Sequence, residues 1–200
     1  MHIPPQFRED DPERLRAAIT ACGLGILVTH GADGLTANHV PMMLEHGGNG
    51  LIGHLARNNR QATASGEALA IFPGPEAYVS PSWYPSKQAG GKVVPTWNFT
   101  AVHATGPITF FSEPDRLLRI VTRLTERHEA GRTAPWAVSD APEDFIASML
   151  RGIIGFRIAI TRLEGKWKMS QNRNAADRAG VIAGLRAAGR DDVADLIPRG

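Results

Sequence analysis

The residue types best suited to bind a ligand cluster in two short stretches of this chain. The segment from Ala77 to Asn98 contains both tyrosines, two of the four tryptophans and two of the four lysines. The other two lysines flank a further tryptophan in Lys166-Trp167-Lys168, just before a polar run at 170–173. Aromatic faces, hydroxyls, amides and ammonium groups together suit a planar, polar, anionic ligand such as flavin mononucleotide (FMN). The alternative is a proline-rich surface loop whose aromatic side chains pack on the core.

A candidate anion site follows a predicted strand at Arg57-Asn58-Asn59-Arg60. If these residues begin a helix, its free backbone N–H groups and its dipole favour an anion, and the two guanidinium groups beside it suit a phosphate. His54, on the preceding strand, is placed to orient the phosphate or to line the pocket. The competing interpretation is an ordinary asparagine cap with solvated arginines.

A third polar motif, Ser170-Gln171-Asn172-Arg173, lies between a predicted strand and a predicted helix. The amides of Gln171 and Asn172 each present a donor and an acceptor, which matches the alternating N–H and C=O edge of the flavin pyrimidine ring. A polar turn before a helix is the alternative, because Ser and Asn favour such positions in any case.

Composition limits the classes of protein that this chain can belong to. Two hundred residues with 42% hydrophobic content can bury a core, and no linker is apparent, so we expect one domain over residues 1–200. A net charge of +2 gives no strong electrostatic case for binding nucleic acid or a membrane. A single cysteine, Cys22, excludes an intrachain disulfide, and no apolar run approaches the roughly 20 residues that span a bilayer, so we expect a cytoplasmic protein. The seven histidines lack metal-ligand spacing, and we predict no metal.

The first half of the chain reads as short strands with tight turns. Asp11-Pro12-Glu13 predicts a helix over about 12–21, with a cap and a proline at its start. The extended segments predicted after it are a hairpin over 24–44 and strands at 51–55, 68–72, 94–103 and 105–111, with a break at Pro73-Gly74-Pro75. Six or more short strands predict a mainly β fold with an antiparallel barrel.

The second half adds helices. Apolar residues at helical spacing predict an amphipathic helix over about 113–129, and Asp140-Ala141-Pro142-Glu143 predicts another through Leu150. A β-rich run over 152–163 leads into Lys166-Trp167-Lys168. Asn174 is expected to cap a last helix to about residue 188, within a helical tail over about 174–200 whose end, from Arg190, we expect to be loosely held.

Five longer motifs carry a resemblance to a known family. They are Met1-His2-Ile3-Pro4-Pro5 with Phe7, Gly53-His54-Leu55-Ala56-Arg57-Asn58-Asn59, Tyr78-Val79-Ser80-Pro81-Ser82-Trp83-Tyr84, Lys92-Val93-Val94-Pro95-Thr96-Trp97-Asn98, and the run 163–173 that ends in Ser170-Gln171-Asn172-Arg173. With these motifs in this order, the chain resembles the PaiB-like, FMN-binding negative transcriptional regulator family over nearly its whole length. The resemblance implies an FMN-binding split β-barrel, related to flavin reductases and pyridoxamine-phosphate oxidases and usually a homodimer with FMN near the subunit interface.

The resemblance also implies roles for particular residues. His54, Arg57 and Asn58 would bind the phosphate of FMN. The residues implied for the rest of the cofactor are Ser80, Ser82, Trp83, Lys92, Thr96, Trp97, Asn98, Gln171 and Asn172. No catalytic residue is identified.

Three functions stay open from the sequence. The first is a flavoenzyme that takes hydride from NAD(P)H or another small redox partner, with Lys92 or Lys168 stabilising the reduced anionic ring. The second is an FMN-responsive transcriptional regulator, for which direct DNA binding is doubtful. The third is a haem-binding split barrel with His39, His54 or His103 as the ligand to test.

Overall fold

The computed structural model describes residues 1–199 and divides into two compact units. Unit one comprises Met1–Ala18, Pro73–Val102 and the C-terminal segment from Glu164; unit two comprises Ile19–Phe72 and His103–Leu163. Within the described residues, no helix is both long enough and apolar enough to cross a membrane.

Nine strands and six α-helices make up the regular structure of the described residues. The strands are β1 (Arg8–Glu9), β2 (Gly25–Gly31), β3 (Gly34–Val40), β4 (Met42–Leu44), β5 (Gly50–Ala56), β6 (Glu67–Val79), β7 (Thr96–Phe111), β8 (Ile153–Ala159) and β9 (Arg162–Lys168). The helices are α1 (Pro12–Ala21), α2 (Ser86–Gly90), α3 (Pro114–Glu129), α4 (Glu143–Arg151), α5 (Ala175–Ala187) and α6 (Asp191–Ala194).

The strands form an antiparallel sheet. Its order is β3-β2-β6-β7-β8-β5-β4, and β9 pairs with both β1 and β7. The predicted hairpin is present, with Thr29 opposite Thr36 and Gly31 opposite Gly34 across β2 and β3. The mainly β class with added helices is therefore confirmed.

Local signals located three helices well. The helix α1 has the predicted bounds, and α3 buries the predicted apolar stripe of Leu117, Ile120 and Leu124. Asn174 caps α5, because its Oδ1 accepts a hydrogen bond of 2.9 Å from the Asp177 backbone. Capping groups and apolar spacing act within a few residues of one another, so they can be read without the fold.

Two predicted strand breaks are wrong. The strand β6 runs through Pro73-Gly74-Pro75, and β7 runs through Gly106-Pro107. Proline fits an extended strand wherever its missing N–H is not needed for pairing. At Gly106 a Cβ atom would stand 1.8 Å from the Ala159 carbonyl oxygen, so this close approach requires glycine.

One of the remaining helical predictions is confirmed and one needs correction. The helix α4 begins at Glu143, the last residue of the predicted start motif, after a 3-10 turn at Val138–Asp140. The end of the chain is not loosely held up to residue 199, because α6 forms there and Val193 and Ile197 are buried in the core of unit one. Burial of these apolar side chains stabilises the end of the chain, although the segment is short and rich in charged residues.

A buried glutamine organises unit two near the candidate anion site. The Gln61 side chain is 1% exposed, accepts from Asn38 Nδ2 at 2.8 Å, and donates to the Leu27 and Thr36 carbonyl oxygens at 2.9 and 3.0 Å. Its amide also lies 3.1 Å from Thr29 Oγ1. This network ties the segment that follows β5 to the β2–β3 hairpin.

Candidate functional site

In unit two, the segment Arg57–Arg60 faces the tip of the β2–β3 hairpin. Together they form a pocket of about 470 Å³, which we call the Arg57 cradle. Its lining residues are Gly31, Ala32, Asp33, Gly34, Thr36, Arg57, Asn58, Asn59, Arg60, Ala62 and Thr63. The lining contains two guanidinium groups, two amides and one carboxylate. The pocket is therefore rich in hydrogen-bond donors and suits an anion.

Arg57 is held by its neighbours in a defined orientation. Its Nε atom donates to the Arg151 carbonyl oxygen at 2.7 Å, and its backbone N–H donates to the Gly152 carbonyl oxygen at 2.9 Å. The two terminal guanidinium nitrogens have no hydrogen-bond partner within residues 1–199. Arg60 is more loosely tied, since its Nη1 lies 3.9 Å from Asp33 Oδ2 and both side chains are 86% exposed.

The predicted helix after β5 is only a four-residue 3-10 turn, Arg60–Thr63, capped by Asn59. Asn59 Oδ1 accepts from the Gln61 backbone at 2.9 Å, so this amide is occupied by the cap. A turn this short has no appreciable macrodipole, and the helix-dipole argument for an anion is wrong here. The side chains of Arg57, Asn58 and Arg60 carry the case for an anion instead.

His54 lies on β5 but lines a different pocket, which we call the His54 pocket. This pocket of about 270 Å³ is formed by α3, α4 and the segment between them. Its other lining residues are Val121, Thr125, Trp136, Val138, Ala141, Phe145, Ile146, Met149, Leu150 and Ile153. Burial lowers the pKa of His54, and its Nδ1 atom has no partner among the described residues. Because His54 is absent from the lining of the Arg57 cradle, its role at the phosphate stays a prediction.

In unit one, Lys168 lies against the strand that carries Thr96 and Trp97. Its Nζ donates to Thr96 Oγ1 and, at 2.8 Å, to the Trp97 carbonyl oxygen. Burial lowers the pKa of Lys168, and the nearby charges of Lys166 and Arg173 lower it further. A desolvated cation of this kind can stabilise negative charge or release a proton more easily than an ordinary lysine.

Trp97 is the exposed aromatic face of this group. Its ring is 51% exposed and meets the half-exposed Tyr78 edge to face, with centroids 6.0 Å apart. Beside it on β7, Asn98 is fully buried, and its Oδ1 accepts a hydrogen bond of 3.1 Å from Ser170 Oγ. The Asn98 Nδ2 has no partner in the described part of the chain. This leaves one buried amide donor available.

Several other residues implied for the cofactor have structural bonds of their own. Gln171 Oε1 accepts from the Met169 backbone and its Nε2 donates to the Trp167 carbonyl oxygen, each at 2.6 Å. Ser80 caps the 3-10 turn at Pro81–Trp83 by accepting from the Ser82 backbone. Both are therefore committed to holding the local backbone.

The other residues of unit one that the resemblance implies for the cofactor differ in how far their side chains are free to bind a ligand. Trp83 packs on α5, where a Cβ atom on Gly184 would stand 2.3 Å from its indole. Ser82 Oγ accepts from Lys87 Nζ at 3.2 Å. Lys92 and Asn172 are exposed at the surface.

No group of three or more potential metal ligands occurs in residues 1–199.

Comparison with known proteins identifies the class. A family model described as "Putative FMN-binding domain" matches residues 1–162, and the chain belongs to this family of FMN-binding flavoproteins. A Bacillus subtilis protein, "Protease synthase and sporulation protein PAI 2", is 32% identical over 93% of this chain and 89% of its own length. An uncharacterized protein of Aspergillus fumigatus is 40% identical over 70% of this chain and 67% of its own.

Solved structures agree on the fold. A conserved hypothetical protein of Mycobacterium tuberculosis superposes with a TM-score of 0.62 at 13% identity, over 87% of this chain and 94% of its own. The "FAD and Heme binding protein" of Mycobacterium smegmatis superposes with a TM-score of 0.59 at 15% identity, over 80% and 73%. The fold is the split barrel of flavin reductases and pyridoxamine-phosphate oxidases, and the cofactor is FMN. The donor-rich Arg57 cradle fits the phosphate of that cofactor.

Proposed function

We propose that this protein is an FMN-dependent oxidoreductase that takes reducing equivalents from NAD(P)H and passes them to a small acceptor. The observation that carries the proposal is the position of Lys168, a partly buried lysine whose Nζ is held by Thr96 Oγ1 and the Trp97 carbonyl oxygen. A side chain that combines a lowered pKa with a fixed place against the backbone of an exposed tryptophan is a candidate functional group. FMN, when bound, supplies the capacity to accept a hydride.

Each unit carries its own candidate groups. In unit two, Arg57, Asn58 and Arg60 suit a phosphate. In unit one, the partly buried Lys168 Nζ holds positive charge, where it stabilises negative charge that develops nearby or gives up its proton. The half-exposed Trp97 ring offers a surface for stacking, and Asn98 Nδ2 offers a hydrogen bond. Gln171 and Ser80 position the backbone around these groups.

The test is anaerobic reduction of the FMN-loaded protein by NADH and NADPH, followed by bleaching of the flavin absorbance. We expect Lys168→Met to slow reduction by about 10²-fold, the size typical of one well-placed charge or proton donor, while FMN affinity changes little. Arg199→Met is the control, since this exposed arginine of unit one pairs with Asp195 at 3.3 Å. Equal rates for both variants would remove Lys168 from the reaction, and no bleaching with either nucleotide would remove the activity.

An FMN-responsive regulator without catalysis is the second candidate. The name of the Bacillus relative, which refers to protease synthesis and sporulation, favours it. The anaerobic experiment separates the two, because a regulator that only senses FMN would bind it without accelerating its reduction.

Haem is the alternative ligand for this fold, since one structural neighbour is named for binding both FAD and haem. Of the candidate histidines, His54 is the one with a buried nitrogen that lacks a partner among the described residues, whereas His39 is exposed on β3. A haemin titration of the native protein and of His54→Ala tests this. A Soret band that requires His54, in a protein that leaves FMN unbound, would replace the flavin proposal.

We also propose a homodimer, because a split barrel with an open cofactor site needs a partner to cover its apolar surface. Light scattering should give a mass near twice the 21.6 kDa of the chain. A monomer at micromolar concentration with FMN bound would contradict this.

A further inference from the structure

Large apolar side chains are exposed around the His54 pocket. Trp136 is 49% exposed, and Phe145 and Met149 are each 54% exposed. All three line the pocket of about 270 Å³ that also contains His54. An exposed apolar cluster that lines a concave site usually marks a place where something binds.

The pocket contains a polar atom that needs a partner. His54 Nδ1 is buried and makes no hydrogen bond to the described residues. Because burial lowers the pKa of His54, the imidazole is neutral at physiological pH and does not call for an anion. The Thr125 hydroxyl lines the same pocket. A neutral ligand with a hydroxyl or a carbonyl would satisfy the nitrogen, whose lack of a partner is otherwise unfavourable.

The volume limits the size of the ligand. An apolar cavity of about 150 Å³ already holds benzene, so a space of about 270 Å³ takes one ring with small substituents. An adjoining space of about 410 Å³ shares His54, Val121, Thr125 and Trp136 and adds Pro41, Leu124, His128 and Glu129. A polar substituent would find partners there, while Phe145 and Met149 remain on the apolar side.

The walls favour an aromatic ligand over an aliphatic one. Trp136 and Phe145 offer flat faces to a ring, and the Met149 thioether makes favourable contacts with ring edges. An aliphatic molecule of the same volume would gain burial alone.

We propose that unit two binds a neutral, one-ring aromatic molecule with a hydroxyl or carbonyl group, packed against Trp136 and hydrogen-bonded to His54. This site shares no residue with the Arg57 cradle. It is therefore a second binding site, separate from the phosphate site proposed for FMN.

The experiment compares p-cresol with toluene, which differ only in the hydroxyl group. Dissociation constants are measured by NMR in sealed tubes on protein labelled at histidine nitrogens, with and without FMN. We expect p-cresol to bind about 2- to 12-fold more tightly, the effect of one neutral hydrogen bond, and to shift the His54 ring nitrogens. His54→Leu should bring the two ligands to equal affinity.

Two further variants and a control complete the design. Trp136→Ala should weaken both ligands, and Leu35→Ala, which truncates a residue 76% exposed on β3, should weaken neither. If His54→Leu fails to fold, two measurements still test the proposal. They are the affinities of Thr125→Val for both ligands and the shift of the His54 ring nitrogens in the native protein.

Four results would overturn the proposal. In the first, neither ligand binds; in the second, the native protein binds both with equal affinity. In the third, the His54 signal does not shift and Thr125→Val binds both ligands as the wild type does. In the fourth, FMN displaces p-cresol. A fifth is a dimer that binds neither ligand and that Trp136→Ala separates into monomers. That result would assign the exposed apolar cluster to a second copy of the chain.

Discussion

Arg57 combines a fixed orientation with unoccupied terminal nitrogens. The bond from its Nε to the Arg151 carbonyl holds the guanidinium in place, so little side-chain entropy is lost when an anion binds. Asn58 stands next to it in the Arg57 cradle. Its terminal nitrogens, which have no partner within residues 1–199, are therefore available to an anion in this donor-rich pocket.

Arg57→Ala should therefore weaken FMN far more than riboflavin, which lacks the phosphate. The loss of one charged hydrogen bond, about 1.5–3 kcal/mol, corresponds to roughly 10- to 150-fold in the dissociation constant of FMN. Fluorescence titration of both ligands measures this. Arg119→Ala, which removes an exposed arginine of α3, is the control and should change neither affinity. Equal losses for FMN and riboflavin would mean that Arg57 acts through the fold.

The His54 ring makes the stability of the protein depend on pH. Burial lowers its pKa in the folded state, so the unfolded chain takes up a proton first as the pH falls below about 6.5. The stability lost on acidification should decrease in His54→Gln, which cannot take up that proton. His128 and Glu129 line the adjoining space and are retained in this variant.

Urea unfolding at pH 7.5 and at pH 5.0 tests this prediction. The free energy of unfolding of the wild type should fall more between the two pH values than that of His54→Gln. His30→Gln removes an exposed histidine and should behave as the wild type. Identical pH dependence in all three proteins would show that His54 does not titrate differently on folding.

In the two long strands, β6 and β7, local sequence signals wrongly predicted turns. Proline and glycine at 73–75 and at 106–107 have the composition of turns, yet both segments stay extended. At Gly74 and Gly106 a neighbouring strand or turn approaches too closely for a side chain, with Thr100 Oγ1 at 2.0 Å from a Cβ on Gly74. In these strands glycine therefore permits close approach.

Gly106→Ala should destabilise the protein by about 1–3 kcal/mol, the usual cost of forcing a methyl group into a packed interior. The obstacle is the Ala159 backbone carbonyl, which cannot rotate away as a side chain can. Chemical denaturation measures the loss. Gly31→Ala is the control, because nothing lies within 4 Å of a Cβ atom there. Equal stability of the two variants would show that β7 and the end of β8 at Ala159 can separate at little cost.

At the scale of the whole molecule, the charge distribution argues against a DNA-binding surface. The net charge is +2, and the arginines of α3 are largely engaged with their own chain. Arg116 lies 3.5 Å from the Phe111 ring centroid, Arg123 donates to the Leu44 carbonyl oxygen, and Arg127 donates to the Cys22 carbonyl oxygen. An arginine held in this way has fewer donors free for phosphates along a duplex.

We therefore expect no sequence-specific duplex binding by the isolated protein. An anisotropy titration against the DNA upstream of its own gene, at about 150 mM salt, should show no binding in the range near 10⁻⁸ M where specific DNA-binding proteins act. An unrelated duplex of equal length is the control. Tight binding that survives excess nonspecific competitor would make the regulator the leading function.

The sequence by itself determined the features that depend on residues close together in the chain, and its long motifs determined the family. The bounds of α1, the stripe of α3 and the Asn174 cap follow from local propensity and spacing, and the motifs around Arg57 and Trp97 identified the FMN-binding family. Only the tertiary structure decided which of the candidate side chains remain available. It committed Gln171 to the backbone, packed Trp83 on α5 and turned His54 toward an apolar pocket. It also buried Gln61, which no pattern in the sequence marked. The physical reason is that hydrogen-bond partners and packing neighbours distant along the chain come together only on folding, whereas capping and periodicity act within a few residues.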